Sequence, residues 1–168
     1  MVREIVYFII FFMILSCTVK KNEFKKPRFN ESRFSLKMIQ GEENKVKRMI
    51  CLDCIYKLDK VINIHFNEEF VDFKKMYLKF YENGKVAVFN EETIAEMNPK
   101  KADMGIYQYK NNKLYYEYFS YSPQAGYYKF THELWVEDNK LFDKFGSTIR
   151  VFTKLSVKSY SNGTVPDW

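Results

Sequence analysis

The sequence predicts an all-β fold, an antiparallel up-and-down meander of about eight strands closed into a barrel or half-barrel. Three observations indicate it: apolar and aromatic residues alternate with a period of two, short turn signals separate the alternating runs, and no helical pattern intervenes as a doubly wound α/β fold requires. The chain has 168 residues, of which 46% are hydrophobic and 18% aromatic. This composition supports one domain with a core and excludes low-complexity disorder, while three cysteines are too few for a disulfide-dense scaffold.

The first 16 residues have the pattern of a signal peptide. A short start that carries Arg3 precedes an unbroken apolar run over residues 5–15. The run is shorter than the roughly 18–20 residues that a membrane-spanning helix needs, and has the length of a signal-peptide hydrophobic region. It leads into the tetrapeptide Ile-Leu-Ser-Cys at residues 14–17.

This tetrapeptide resembles the lipobox of bacterial lipoproteins. The resemblance implies that residues 1–16 are removed, that a diacylglyceryl group joins the thiol of Cys17, and that the new amino group is acylated. Two or more acyl chains hold a protein stably on a membrane. Thr18 stands where some inner-membrane lipoproteins carry an aspartate, which favours the outer membrane, facing the periplasm. The alternatives are an ordinary secretory signal with a cysteine near its cleavage site, and a buried N-terminal helix.

Residues 17–48 are predicted to form a basic tether between the lipid and the domain. The net charge of residues 18–48 is +6, equal to that of the whole chain, so the remainder from Met49 is neutral. A scarcity of aliphatic residues, together with Pro27 and Gly41, predicts a mostly flexible linker. Its cations either are solvated or contact anionic lipid headgroups. Export and a neutral domain both argue against a nucleic-acid partner.

The predicted domain covers residues 49–157 and begins with two strands, within residues 50–58 and 61–66. Cys51 and Cys54 lie in the first of these. Residues three apart in an extended strand have Cα atoms roughly 10 Å apart, whereas a disulfide needs them within about 7 Å. The pair therefore closes into a disulfide if the segment turns and stays as free thiols if it is extended. Redox or metal chemistry is the third alternative.

The first predicted hairpin follows residues 76–81. Asn83-Gly84 is a strong signal for a two-residue type I′ turn, which brings Glu82 opposite Lys85. The apolar faces of the two strands then meet. The expected partners are Phe80 with Val86 and Leu78 with Val88.

Two further hairpins and a last strand complete the domain. Asn-Asn at 111–112 joins residues 105–110 to 113–121, and Asp-Asn at 138–139 joins residues 127–137 to 140–143. The expected partners are Tyr109 with Leu114, Tyr107 with Tyr116, and Val136 with Leu141. Residues 148–157 alternate as a final strand. Residues 158–168 are predicted to be a loose C-terminal tail.

Residues 55–58, 77–86 and 105–107 leading into 112–114 together resemble small bacterial lipoproteins with a lipocalin-like β-meander. The resemblance covers roughly residues 50–157. It implies an up-and-down barrel or half-barrel that can hold a small apolar ligand, and it assigns no functional residue.

Aromatic residues share the apolar faces of the predicted hairpins. With one histidine they form a candidate ligand-lining set: Tyr107, Tyr109, Tyr116, Tyr118, Tyr128, Phe130 and His132. As core residues they fill a small barrel. As a cavity lining, their polar groups orient a ligand among apolar neighbours.

The sequence predicts a binding protein rather than an enzyme. No nucleophile can be placed beside His132, and the glycines are isolated, so that no phosphate-binding loop occurs. No cofactor or metal is predicted, since Cys51 and Cys54 lack two further ligands in zinc spacing. The first hypothesis is a lipid-anchored envelope protein whose barrel binds a small apolar ligand. The alternative is a lipoprotein with a filled interior that docks an envelope protein through a sheet face.

Overall fold

The computed structural model of the chain describes residues 19–37, 41–70, 74–156 and 165–168. The predicted signal peptide and Cys17 lie outside the described residues. The strands are β1 (Lys20–Lys21), β2 (Pro27–Arg28), β3 (Cys54–Asn63), β4 (Glu68–Phe70), β5 (Met76–Phe80), β6 (Lys85–Asn90), β7 (Asp103–Lys110), β8 (Lys113–Ser122), β9 (Gly126–Glu137), β10 (Lys140–Phe145) and β11 (Thr148–Ser156). The helices are α1 (Glu43–Met49) and α2 (Glu91–Ile94), with 3-10 turns at Glu31–Arg33 and Pro99–Lys101.

Eight strands form a closed antiparallel barrel. β3 and β5 to β11 pair in sequence order, and β11 pairs back onto β3. β4 pairs with the C-terminal end of β3, at Val61–Asn63. β1 and β2 form a separate hairpin outside the barrel. Closure pairs the two edges that an open sheet would expose. The predicted all-β, up-and-down barrel is confirmed, and it is consistent with a lipocalin-like barrel.

The predicted turns at 111–112 and 138–139 are confirmed. All four central residues have positive φ, as a two-residue type I′ turn requires: Asn111, Asn112, Asp138 and Asn139. The expected pairs of Tyr109 with Leu114, Tyr107 with Tyr116, and Val136 with Leu141 all occur. Short polar side chains tolerate this conformation, so these dipeptides set the register of the two hairpins.

The first hairpin has a different turn from the predicted one. Phe80 pairs with Val86 and Leu78 with Val88, as expected. However, Tyr81 rather than Glu82 lies opposite Lys85, through a backbone hydrogen bond of 2.9 Å, and Gly84 has a positive φ of 76°. The loop therefore has three residues, with glycine at the left-handed position. Alignment of the apolar faces requires this extra residue, so the prediction of a two-residue turn is wrong.

β3 replaces the two strands predicted at 50–58 and 61–66. It runs unbroken from Cys54 to Asn63, and its register against β11 shifts between Val151 and Phe152. A β-bulge of this kind changes which face the next side chain occupies without ending the strand. The interruption in the alternating pattern therefore marks a bulge and not a turn.

Helix α1 covers one end of the barrel, which we call the closed end. Val46 and Ile50 join the main apolar cluster inside the barrel. Lys47 pairs with Glu82 at 2.6 Å, and the Lys45 ammonium lies 5.5 Å from the ring centre of Tyr109. We call the opposite end, where β5, β9 and β11 begin, the mouth.

Residues 19–37 pack on the outer wall of the barrel, and we call them the strap. Phe29, Phe34 and Leu36 are buried against outward-facing residues of β7 and β8, including Phe119. The prediction of a flexible linker is wrong for these residues. The prediction fails because the polar and basic average composition of the segment hides three apolar residues, Phe29, Phe34 and Leu36, whose burial fixes the chain on the barrel.

Glu117 of β8 holds the strap by its backbone. Its carboxylate is 1% exposed and accepts hydrogen bonds from the amide nitrogens of Ser35 at 2.7 Å and Leu36 at 3.3 Å. Thr131 donates to the other oxygen at 2.6 Å, and Lys129 lies 3.5 Å away. The strap therefore ends in a charge-assisted contact with the barrel wall.

The last four residues also pack on the barrel. The Trp168 indole donates to the carbonyl of Gly105 at 3.1 Å, and Asp167 pairs with Arg28 at 2.8 Å. A side chain at Gly105 would place its Cβ 2.5 Å from the carbonyl oxygen of Glu117, so the close approach of β7 and β8 requires glycine. The prediction of a loose tail is wrong for residues 165–168.

Candidate binding site

Cys51 and Cys54 form a disulfide next to the closed end. Cys51 lies in the turn after α1, and Cys54 begins β3, so their Cα atoms are 5.4 Å apart. This is the turned arrangement of the alternatives drawn from the sequence. The amide of Cys51 donates to the Tyr56 hydroxyl at 2.8 Å, which ties the disulfide loop to the barrel interior.

Replacing both cysteines by serine, C51S with C54S, is expected to lower the free energy of unfolding by roughly 2 kcal/mol, since the cross-link closes a short loop. Urea unfolding of the mature chain carrying Cys17→Ser measures the change. Dithiothreitol should destabilise the parent by the same amount and leave the double variant unaffected. Equal sensitivity of both proteins to the reductant would contradict the disulfide.

A buried polar cluster occupies the barrel interior towards the mouth. We define it as Tyr116, Tyr118, His132, Asp143 and Arg150. Asp143 is fully buried, and its carboxylate accepts from the Tyr116 hydroxyl at 2.7 Å. The other oxygen lies 2.7 Å from Nδ1 of His132, and Arg150 approaches the first at 3.4 Å. A buried carboxylate with three such partners is satisfied, so the cluster is a specific arrangement and not a packing defect.

The imidazole of His132 has one nitrogen without a partner. Because the Asp143 carboxylate only accepts, Nδ1 donates to it, and Nε2 remains for a second hydrogen bond. Nε2 is buried and has no hydrogen-bond partner among the described residues. Leaving such an atom unsatisfied costs about 1–3 kcal/mol. The ring lies among Tyr116, Tyr118 and Phe145, with centres 4.7, 5.6 and 5.0 Å away.

The phenols and the guanidinium of the cluster stay in their ordinary charge states. Burial raises the pKa of Tyr116, and the neighbouring Asp143 carboxylate raises it further. Burial also raises the pKa of Tyr118. Burial opposes the charge of Arg150, but Tyr118, Tyr116 and Asp143 together raise its pKa. The cluster therefore presents neutral hydroxyls and one guanidinium that is 24% exposed.

Aromatic side chains around the mouth point inward and yet remain partly exposed. Phe130 packs on Phe145 with ring centres 4.4 Å apart and is 38% exposed. Tyr128 packs on Phe130 at 4.9 Å. Phe70 of β4 is 47% exposed and lies opposite Val61, which packs on the interior cluster. Apolar walls around a few polar groups are typical of a small-molecule site.

The seven residues predicted to line a ligand do not all meet at one place. Tyr116, Tyr118 and His132 belong to the polar cluster, and Tyr128 and Phe130 lie at the rim of the mouth. Tyr107 is buried deeper, against Phe80 at 5.4 Å, and its hydroxyl donates to the carbonyl of Tyr81. Tyr109 lies beneath α1. Five of the seven are therefore brought together.

Sequence reasoning missed Asp143, Phe145 and Arg150. The predicted strand ended at Asp143, whereas β10 continues to Phe145. Alternation from the buried Leu141 places Asp143 and Phe145 on the interior face. Alternation from the buried Phe152 places Arg150 there as well. The signal was available, but it required the assumption that a charged residue can occupy a core position.

A cleft of about 530 Å³ lies at the closed end, between α1, the disulfide loop and the ends of β9 and β11. Its lining mixes Ile50, Leu52 and Val136 with charged side chains, including Arg48 and Lys154. None of the seven predicted residues lines it. The cleft has the volume of a ligand site, but it holds no buried polar group without a partner among the described residues comparable to His132.

The described residues contain no group of three metal-binding side chains and no helix that is long and apolar enough to span a bilayer. The chain matches no protein-family model, no curated protein and no solved structure. Evidence for function therefore comes from the geometry of the barrel and from the sequence before it.

Proposed function

We propose that this chain is a lipid-anchored protein of the bacterial cell envelope whose barrel binds a small, largely apolar molecule at the mouth, without catalysis. The observation that carries the proposal is the buried Nε2 atom of His132, which has no partner among the described residues and lies beneath a partly exposed aromatic rim. Such a rim buries the apolar body of a ligand, and a few polar groups fix its orientation.

The interior favours a ligand at the mouth over one deep in the barrel. The half next to α1 is filled by side chains with no exposed surface, namely Leu78, Phe80, Leu114, Leu141 and Phe152. The half next to the mouth instead contains the polar cluster, with Arg150 partly exposed. A ligand with one hydrogen-bonding group at the end of an apolar body matches this arrangement, because its polar group would meet the polar cluster and its apolar body would meet the aromatic rim.

The proposed anchor comes from the sequence. The lipobox-like tetrapeptide at 14–17 ends two residues before Val19, which packs against the apolar cluster under the strap. Mass spectrometry of the mature N-terminus tests this part of the proposal. Acyl groups on Cys17 are expected, and cleavage at another residue would overturn the anchor while leaving the binding site untouched.

A neutral fluorescent dye, N-phenyl-1-naphthylamine, tests the binding site. Saturable binding is expected, and Phe130→Ser should weaken it about tenfold, which corresponds to about 1.4 kcal/mol of lost apolar contact. Val136→Ser is the matched control. Phe130 and Val136 lie on the same face of β9 and are similarly exposed, at 38% and 40%, but they lie at opposite ends of the barrel.

Two results would overturn the binding proposal. One is the absence of saturable dye binding by the folded protein. The other is a greater loss in Val136→Ser than in Phe130→Ser, which would move the site to the cleft at the closed end.

One observation favours the alternative of a docking protein. Trp135 and Phe142 stack with ring centres 5.2 Å apart on the outer face of β9 and β10, where a sheet face meets solvent. Aromatic residues of this kind are enriched at protein interfaces. Trp135→Ala with Phe142→Ala should then abolish cross-links to an envelope protein and leave dye binding unchanged.

A further inference from the structure

We propose that the hairpin of β1 and β2 forms a docking surface for anionic lipid headgroups, and that it holds the barrel mouth against the membrane. This surface, the basic hairpin, consists of residues 20–28. Its orientation rests on the proposed lipid anchor at Cys17, but its affinity for an anionic membrane does not.

The basic hairpin carries cations that the barrel does not neutralise. Lys20, Lys21 and Lys25 are exposed, and no salt bridge pairs any of them within the described part of the chain. By contrast, Lys26 pairs with Asp103 at 2.8 Å, which fixes the hairpin to the start of β7. The three free ammonium groups are therefore held on a folded surface rather than spread along a flexible tether. Each lysine near an anionic membrane strengthens binding about fivefold at low salt.

An aromatic side chain stands among these cations. Phe24, in the turn of the hairpin, is 38% exposed and lies 5.0 Å from the ammonium of Lys101. Its neighbour Glu23 is paired with Lys100 at 3.0 Å, so the acidic residue of the turn is already compensated. An aromatic ring with surrounding lysines is the composition of surfaces that lie in the membrane interface.

The end of the described chain places this surface beside the anchor. Cys17 precedes Val19 by two residues, which span at most about 7 Å when extended. Val19 packs on the barrel wall and leads directly into β1. A lipid on Cys17 therefore brings Lys20 and Lys21 to the headgroup region, where an unstructured tether would have left the barrel remote from it.

Docking through the basic hairpin also orients the barrel. Asn22 donates to the carbonyl of Lys100 at 2.7 Å, and Asp103 begins β7 at the mouth end. The other end of β7, at Tyr109 and Lys110, lies beside α1. The mouth, with its exposed apolar rim, therefore faces the bilayer, so that a ligand can pass between the lipid and the site.

Vesicle co-sedimentation of the mature chain with Cys17→Ser tests the surface without any lipid anchor. We expect binding to vesicles that contain phosphatidylglycerol, little binding to phosphatidylcholine alone, and a decrease with salt. Lys20→Gln with Lys21→Gln should weaken binding about 25-fold at low salt, which is about fivefold for each lysine. Phe24→Ser should weaken it further, with less dependence on salt.

The matched control is Lys110→Gln with Lys140→Gln, which removes the same charge from two turns at the closed end. It should change vesicle binding less than twofold. Equal losses in the two double variants, or equal binding to neutral and anionic vesicles, would overturn the proposal. Dye binding by the variants in solution reports separately on the ligand site, so failure of one proposal is distinguishable from failure of the other.

Discussion

Replacing Asp143 by alanine is expected to destabilise the barrel by about 3–5 kcal/mol, the usual effect of removing one partner from a buried ion pair. The substitution leaves the Arg150 guanidinium without its carboxylate and frees the Tyr116 hydroxyl and Nδ1 of His132. Urea unfolding followed by circular dichroism measures the loss. Asp59→Ala, on the exposed bulge of β3, is the control and should stay within about 0.5 kcal/mol of the parent.

A triple variant separates the structural role of the polar cluster from its proposed binding role. Asp143→Leu, His132→Leu and Arg150→Met together replace the carboxylate, the imidazole and the guanidinium of the cluster by apolar side chains, and such replacements are often neutral or stabilising. We expect most of the stability to return while a ligand with a hydrogen-bonding group binds less tightly. An Asp143→Ala variant as stable as the parent would show that the cluster is solvated, contrary to its burial.

Replacing Glu117 by glutamine is expected to destabilise the protein by about 3 kcal/mol and to release the strap. The carboxylate accepts from the amides of Ser35 and Leu36 and from Thr131, and hydrogen bonds to a charged acceptor contribute about 1.5–3 kcal/mol each. Hydrogen exchange should show faster exchange of the strap amides than of the barrel amides. Glu133→Gln, which alters an exposed pair with Lys113, is the control and should leave strap protection unchanged.

The same carboxylate makes strap docking dependent on pH. Burial opposes its charge, but hydrogen bonds from Thr131, Ser35 and Leu36 and the charge of Lys129 outweigh burial and lower the pKa of Glu117 below its usual 4.5. A lowered pKa in the folded state adds stability above the unfolded value of about 4.5, and this stability is lost as pH falls through the folded value. Glu117→Gln should abolish this part of the acid dependence. An unchanged acid limb in the variant would contradict the role of Glu117.

The barrel itself could be predicted because local and non-local signals agree. At 111–112 and 138–139 the turn residues and the apolar faces demand the same register, and both hairpins form as expected. At 83–84 the two signals differ by one residue. There the apolar faces determine the register, because burial of Phe80 and Val86 outweighs the preference of a dipeptide for one turn.

The strap and the polar cluster could not be predicted by the same reasoning. Phe29 and Phe34 contact Phe119 on the outer face of β8, which lies 90 and 85 positions further along the sequence. No periodicity within the strap indicates these contacts. Asp143 and Arg150 each look like surface residues when taken alone, and only their closeness across two strands makes burial favourable. Contacts between distant segments decide both features.

Intermolecular nuclear Overhauser effects between bound N-phenyl-1-naphthylamine and the folded protein decide whether the ligand binds at the mouth, because they locate the ligand instead of reporting only its affinity. We expect contacts from the dye to the ring protons of Phe130, Phe145 and Tyr128 at the mouth. Contacts to Ile50, Leu52 or Val136 at the closed end, in place of those at the mouth, would contradict this expectation.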